Sequence, residues 1–192
     1  MLVIGMLVMC IGVPTAAVAA GKNVDTLVEL EGVSFGGDFQ AVGEEGASGG
    51  KYIVNLAPGG AKLEDPDSID PEIEVEFEAD KDATYYVWLR YSAQNNGMDS
   101  FFIGFNDEKL ASAYGTAVEV TGEGVWAWKK VKSADLGAGK NTLKMYHRET
   151  GLKMDAVYIT ADASYKPESG PAAPTAQPGA NTPKPVVPTG EV

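Results

Sequence analysis

Two chemically versatile side chains are nearly missing from this chain of 192 residues, which has one cysteine, Cys10, and one histidine, His147. A single thiol cannot build a disulfide framework, so packing must hold the fold together. A Ser or Cys nucleophile assisted by histidine would have to use His147. That residue follows Leu143 and Met145 at alternate positions and reads as a satisfied core or edge histidine. Basic residues are scarce as well: 15 Lys and Arg stand against 27 Asp and Glu, a formal charge of -12. Such a chain repels phosphate backbones, and nucleic acid is not an expected partner. Amphipathic helical periodicity and internal repeats are also lacking.

The two ends differ from the middle. Residues 1–20, MLVIGMLVMCIGVPTAAVAA, carry no charged side chain and end in the small residues Ala17, Val18 and Ala19. This is the shape of a secretory signal peptide with an A-x-A cleavage site, or of an uncleaved N-terminal anchor of about minimum spanning length. A secreted or cell-surface protein is expected, with Cys10 leaving in the signal. Seven of the eleven prolines fall beyond Tyr165, so 163–192 reads as a Pro-rich disordered tail or linker. One folded domain remains, at 25–162.

Within that domain the dominant period is two. PEIEVEFEAD at 71–80 places Ile73, Val75 and Phe77 on one face and Glu72, Glu74, Glu76 and Glu78 on a wet acidic face. TYYVWLRYSA at 84–93 is aromatic and β-branched throughout, which suits a strand covered on both sides. Further strands are predicted at 25–32, 51–57, 100–105 and 125–134, with a final pair in NTLKMYHRETGLKMDAVYIT at 141–160 that turns at Thr150 and Gly151. The stretch from Gly36 to Gly50 reads as a Gly-rich loop. Eight strands without a helix predict an all-β fold, an antiparallel β-sandwich of jelly-roll type.

Asp155 falls in phase with Val157 and Ile159 in the last strand, so its carboxylate is expected to point inward and to need a cation or several donors. Glu29 and Glu31, two apart in the first strand, leave the same face. With Asp155 they offer three hard oxygen ligands suited to Ca²⁺; the alternative is a solvated acidic face. For the sugar ligand that the family resemblance given next implies, the candidate stacking residues are Trp126, Tyr114 and Tyr52, and the candidate polar partners are Asn55, Asn95, Asn96, Lys153 and Arg148. Core packing is the alternative for each aromatic and the expectation for Trp88 and Trp128. Tyr146, His147, Arg148 and Glu149 contain the group types a polysaccharide lyase needs.

Read in order, ELEG, SGGKYIVNL, ATYYVWLRYS, GVWAWKKV and GKNTLKMYHRETGLKMDAVYIT resemble the carbohydrate-binding modules of families 6 and 35, which have a galactose-binding-like sandwich. The resemblance spans about residues 27–160. It implies a structural Ca²⁺ held by Glu29, Glu31, the main-chain carbonyl of Lys51, and Asp155. It also implies a sugar cleft at the positions of Asn55, Trp126 and Lys153. Of these, Trp126 matches the residue type usual in the family. The expected function is non-catalytic binding of a polysaccharide or cell-surface glycan, with a structural or adhesive module lacking sugar binding as the alternative, and a lyase third.

Overall fold

Alternating side chains bury one face of a strand and wet the other, and the pattern resolves here into ten strands among the described residues. They are β1 (Thr26–Glu29), β2 (Phe39–Gly43), β3 (Lys51–Asn55), β4 (Ile73–Ala79), β5 (Ala83–Ser92), β6 (Ser100–Phe105), β7 (Thr116–Ala117), β8 (Ala127–Leu136), β9 (Gly139–His147) and β10 (Lys153–Thr160). The computed structural model describes residues 25–110 and 115–168. The segment 1–20, Tyr114 and tail residues 169–192 lie outside the described residues. Among those described, no helix is long and apolar enough to cross a membrane.

All pairings are antiparallel. The larger sheet runs β2-β3-β10-β5-β8, with β1 also paired to β10, and the smaller runs β4-β9-β6-β7. Ile53, Val75, Leu89, Phe101, Leu143 and Val157 are among the residues that interdigitate between them as one core. The expected antiparallel β-sandwich is thus the observed one, and the eight predicted strands are all present. β2 lies inside the stretch taken for a Gly-rich loop, because its glycines sit at the ends of the FQAVG segment rather than within it. β7 has two residues and no periodicity to betray it.

Three expectations need correction. Glu72 is not on the wet face of β4: it lies just before the strand and is 6% exposed. One of its carboxylate oxygens accepts from the His147 backbone N–H at 2.7 Å and meets His147 Nδ1 at 2.7 Å; the other accepts from Asn55 Nδ2 at 3.3 Å. Glu74, Glu76 and Glu78, within the strand, are exposed as expected. Trp88 and Trp128 are outside the core between the sheets and stand half-buried on the outer face of the larger sheet. That face is covered too, which explains why β5 reads as continuously apolar. Tyr165, read as the start of a tail that does not pack, stacks on Tyr158 with ring centroids 4.2 Å apart.

One end of the sandwich is fastened by Glu149, in the β9–β10 turn. Its side chain accepts from Lys62 Nζ at 2.6 Å, Ser100 Oγ at 2.7 Å and the Asp99 N–H at 3.3 Å, tying three loops together. Burial pushes this carboxyl up, but the Lys62 ammonium and the Ser100 and Asp99 donors outweigh it and hold the group at about 2. A folded-state pKa below the ordinary 4.5 gives stabilisation that is complete above pH 4.5 and lost as the pH falls toward 2. Glu149→Gln is therefore expected to cost about 2 kcal/mol at neutral pH and to flatten the acid limb of the pH–stability curve. Urea titrations from pH 2 to 7 measure both, and a variant with the parent's acid limb would contradict this assignment.

Candidate functional site

Asp155 sits where β10 changes partner. Lys153 and Met154 pair with β3, whereas Ala156 to Ile159 pair with β1, and opposite β5 the register slips between Met154 and Ala156. Asp155 is the extra residue of that bulge. The slip lets both Met154 and Val157 reach the core, so Asp155 does not share the face of Val157 and Ile159 as simple alternation implied. It is nonetheless fully buried. The cation it requires is Arg90 of β5, whose Nη1 pairs with Asp155 Oδ2; the Ser48 N–H donates to the same oxygen at 3.0 Å. The second guanidinium nitrogen donates to the Gly46 carbonyl at 3.0 Å. Residues 44–50, the β2–β3 connection, are thereby drawn down over the outer face of the larger sheet.

Glu29, Glu31 and Asp155 each offer an oxygen within 4.8 Å of the others. They meet by a different route from the one predicted. β1 stops at Glu29 and the chain winds through a 3-10 turn at Leu30–Gly32, so Glu31 reaches Asp155 from a turn rather than from the strand face. Gly49, with φ 63°, makes room: a Cβ there would fall 2.8 Å from a Glu31 oxygen. Ser48 Oγ donates to Glu29 at 2.7 Å. Burial and the charges of their neighbours push the Glu29 and Glu31 carboxyls up. Burial raises Asp155 as well, with the Ser48 N–H and Arg90 opposing it.

Three carboxylates against one guanidinium leave two negative charges, and Glu29 Oε2, Glu31 Oε2 and Asp155 Oδ1 are buried without a hydrogen-bond partner. Orphaned acceptors in that number are costly. Hard oxygens converging on one point suit a divalent cation such as Ca²⁺. Lys51, just after the turn at Ser48–Gly50, is close enough for its charge to lower the Glu31 pKa.

Beside the carboxylates the outer face is aromatic. Trp126, immediately before β8, packs with Tyr52 at 5.6 Å between centroids, and the Arg90 guanidinium carbon lies 5.2 Å from its ring centre. Its indole N–H is buried and has no acceptor. Lys153 Nζ lies 5.1 Å from the Tyr52 ring centre and pairs with Glu44 Oε2. Of the sequence-predicted residues, Tyr52, Trp126 and Lys153 thus converge.

Asn55 is turned the other way, bonding Glu72 and accepting from the Ala57 N–H at 3.0 Å. Arg148 lies in the β9–β10 turn and donates to Ser100 Oγ at 2.8 Å. Tyr114 is outside the described residues. Of Tyr146, His147, Arg148 and Glu149, Arg148 and Glu149 meet, as an ion pair at 3.5 Å and through Ser100 Oγ, while Tyr146 packs with Phe102 and Leu110 and His147 is held by Glu72. Arg90, Ser48 and Glu44 were missed. For Arg90 the signal was a lone cation inside an aromatic strand; Ser48 and Glu44 gave none, since only folding of the 44–50 loop brings them to the site.

No family model and no curated protein matches the sequence. Solved structures do match the fold. A family 35 carbohydrate-binding module from Clostridium thermocellum aligns with a TM-score of 0.52 at 19% identity, over 71% of this chain and 98% of the module. A family 35 module from Paenibacillus barcinonensis gives 0.52 at 22%, over 71% and 99%. The GH26-CBM35 β-(1,4)-mannanase of Podospora anserina gives 0.54 at 17%; the match takes in 74% of this chain but only 29% of the mannanase. The chain has the β-sandwich fold of the family 35 carbohydrate-binding modules.

Proposed function

We propose that this chain is a non-catalytic carbohydrate-binding module of a secreted or cell-surface protein, binding a polysaccharide or cell-surface glycan where Tyr52, Trp126 and Lys153 meet, with a structural Ca²⁺ on Glu29, Glu31 and Asp155. The observation that carries it is the convergence of those three side chains beside Glu44, on a fold shared with free-standing sugar-binding modules. Sugar rings stack their C–H faces on aromatic rings and need polar groups at the rim; Lys153 and Glu44 supply them. The ion would tie β1, the turn after it and β10 together, with the Lys51 carbonyl as the fourth ligand the family resemblance implies.

A second reading is favoured by one observation: Tyr52 is only 6% exposed, and Trp126 packs against the loop residue Ala47. A structural or adhesive module that keeps the sandwich without a sugar cleft would look like this.

Glycan binding decides between these readings, and two further measurements test the carboxylate site that both retain. Affinity electrophoresis on mannan, β-1,3-galactan and dextran is expected to retard the parent on at least one gel, and Trp126→Ala to weaken retention about tenfold. Free migration on all three, or an unaltered variant, would leave the structural module standing. For the ion, EDTA is expected to lower the Tm, and Ca²⁺ at about a hundredfold excess over its Kd to raise it by roughly 5–10 °C. An indifferent Tm would remove the metal from the site. Arg90→Met strands Asp155 without its cation and is expected to cost about 3–5 kcal/mol in metal-free urea titrations. If the carboxylates hold Ca²⁺, the variant's midpoint will depend on Ca²⁺ more steeply than the parent's.

A further inference from the structure

The outer face of the larger sheet carries a second group of aromatic residues, away from Trp126. Tyr158 of β10 and Trp88 of β5 are directly cross-strand, and Trp88 is in turn opposite Lys130 of β8, whose ammonium lies 5.0 Å from the Tyr86 ring centre. Rings on adjacent strands of one sheet face make a platform. Tyr165 packs over it. After β10 the chain turns at Asp162, whose carboxylate accepts from the Ser164 N–H at 2.8 Å and whose carbonyl accepts from the Tyr165 N–H at 3.2 Å. This turn lays the Tyr165 ring flat on Tyr158, at 4.2 Å and 16° between planes, and edge-on to Trp88 at 6.5 Å.

Tyr165 satisfies the platform incompletely. The Trp88 indole N–H is buried and finds no acceptor, although indole nitrogens in such places normally have one. The phenols of Tyr158 and Tyr165 lie near the Asp25 carboxylate, and burial together with that charge pushes both of them up. Asp25 itself already accepts from Thr160 Oγ1 at 2.6 Å. A hexopyranose has nearly the footprint of a phenol ring and an apolar C–H face to stack. Unlike a phenol, it also has hydroxyls around its whole rim, so it could accept from Trp88 and donate to Asp25 at once. The Asp25 carboxylate beside the phenols favours a neutral sugar over a uronate.

We propose that Tyr158 and Trp88 form a second carbohydrate subsite, for a neutral hexopyranose, which the chain's own Tyr165 occupies in the closed state. The ligand must displace Tyr165, so apparent affinity is reduced by the fraction of molecules in which the ring is lifted. One stacked aromatic pair implies a reduction of about three- to tenfold.

The test uses the full chain with Trp126→Ala as background, so that the surface proposed above is disabled and the two readings fail separately. Cellohexaose, mannohexaose and isomaltohexaose are titrated calorimetrically. Tyr165→Ala is expected to bind at least one of them about three- to tenfold more tightly than its parent, Tyr165→Phe, which keeps the stacked ring, to gain less than Tyr165→Ala, and Tyr158→Ala added to Tyr165→Ala to abolish the gain. Equal affinity of Tyr165→Ala and its parent for all three sugars, with unchanged far-ultraviolet circular dichroism, would overturn the proposal. Should Tyr165→Ala not fold, tryptophan fluorescence of the unaltered Tyr165 chain at tens of millimolar hexasaccharide answers the same question. A change that disappears in Trp88→Phe supports the subsite, and a flat titration overturns it.

Discussion

The buried pair between Arg90 and Asp155 is the constraint on which the aromatic surface beside it depends. A carboxylate with no exposure to solvent is tolerable only with a cation and donors in place, and here they reach Asp155, in a bulge of β10, from two segments distant in sequence: Arg90 from β5 and the Ser48 N–H from the β2–β3 connection. The pair does more than neutralise a charge. Arg90 spends its other nitrogen on the Gly46 carbonyl and its flat face on Trp126, so one guanidinium sets both the path of the 44–50 loop and the tilt of the indole. Through that loop Glu44 reaches Lys153, and Lys153 is held over Tyr52. The aromatic surface is therefore a consequence of how Asp155 is satisfied.

The pair is also insufficient. Arg90 occupies one Asp155 oxygen and leaves the other facing two glutamates that arrive from β1 and its terminal turn. Packing alone would not bring three carboxylates within 4.8 Å of one another, since each is pushed toward protonation by burial and by its neighbours. The residual charge of two is what a divalent ion would carry. An arginine and a metal ion would not be redundant here, because they would serve opposite sides of the same carboxylate: the guanidinium holds the loop and the ion the first strand.

Much of this was legible in the sequence, and the parts that were not share a physical cause. Period-two alternation locates the eight main strands because burial acts on each residue of a strand independently. It also marks Asp155 as buried. It cannot give the facing of Asp155, because a bulge shifts parity by one residue and leaves no compositional trace. Glu31 reaches the site through a 3-10 turn that alternation reads as more strand. Glu72 is misread for the same reason in reverse: it precedes the first paired residue of β4, so strand parity does not govern it, and its burial follows from His147 and Asn55. Arg90 was visible as an anomaly, a lone cation among Tyr85, Trp88, Leu89 and Tyr91, but its partner lies 65 residues further on.

The same distinction bears on what likeness to known folds can transmit. Sandwich topology survives at identities of 12 to 22% in the family 35 modules matched here, because it needs only apolar residues at alternate positions and turns between them, and many sequences provide those. A site has no such degeneracy. Trp126 without Gly46 and Ala47 beside it, or Asp155 without Arg90, would be a different surface on an unchanged sandwich. Position-by-position transfer from the fold family places Asn55 and Lys153 in a cleft, yet their actual bonds separate them: Lys153 stays with Tyr52 and Glu44, and Asn55 is committed to Glu72. The chemistry of this surface is consequently written in the contacts of the 44–50 loop and the outer sheet face, and not in the topology that supports them.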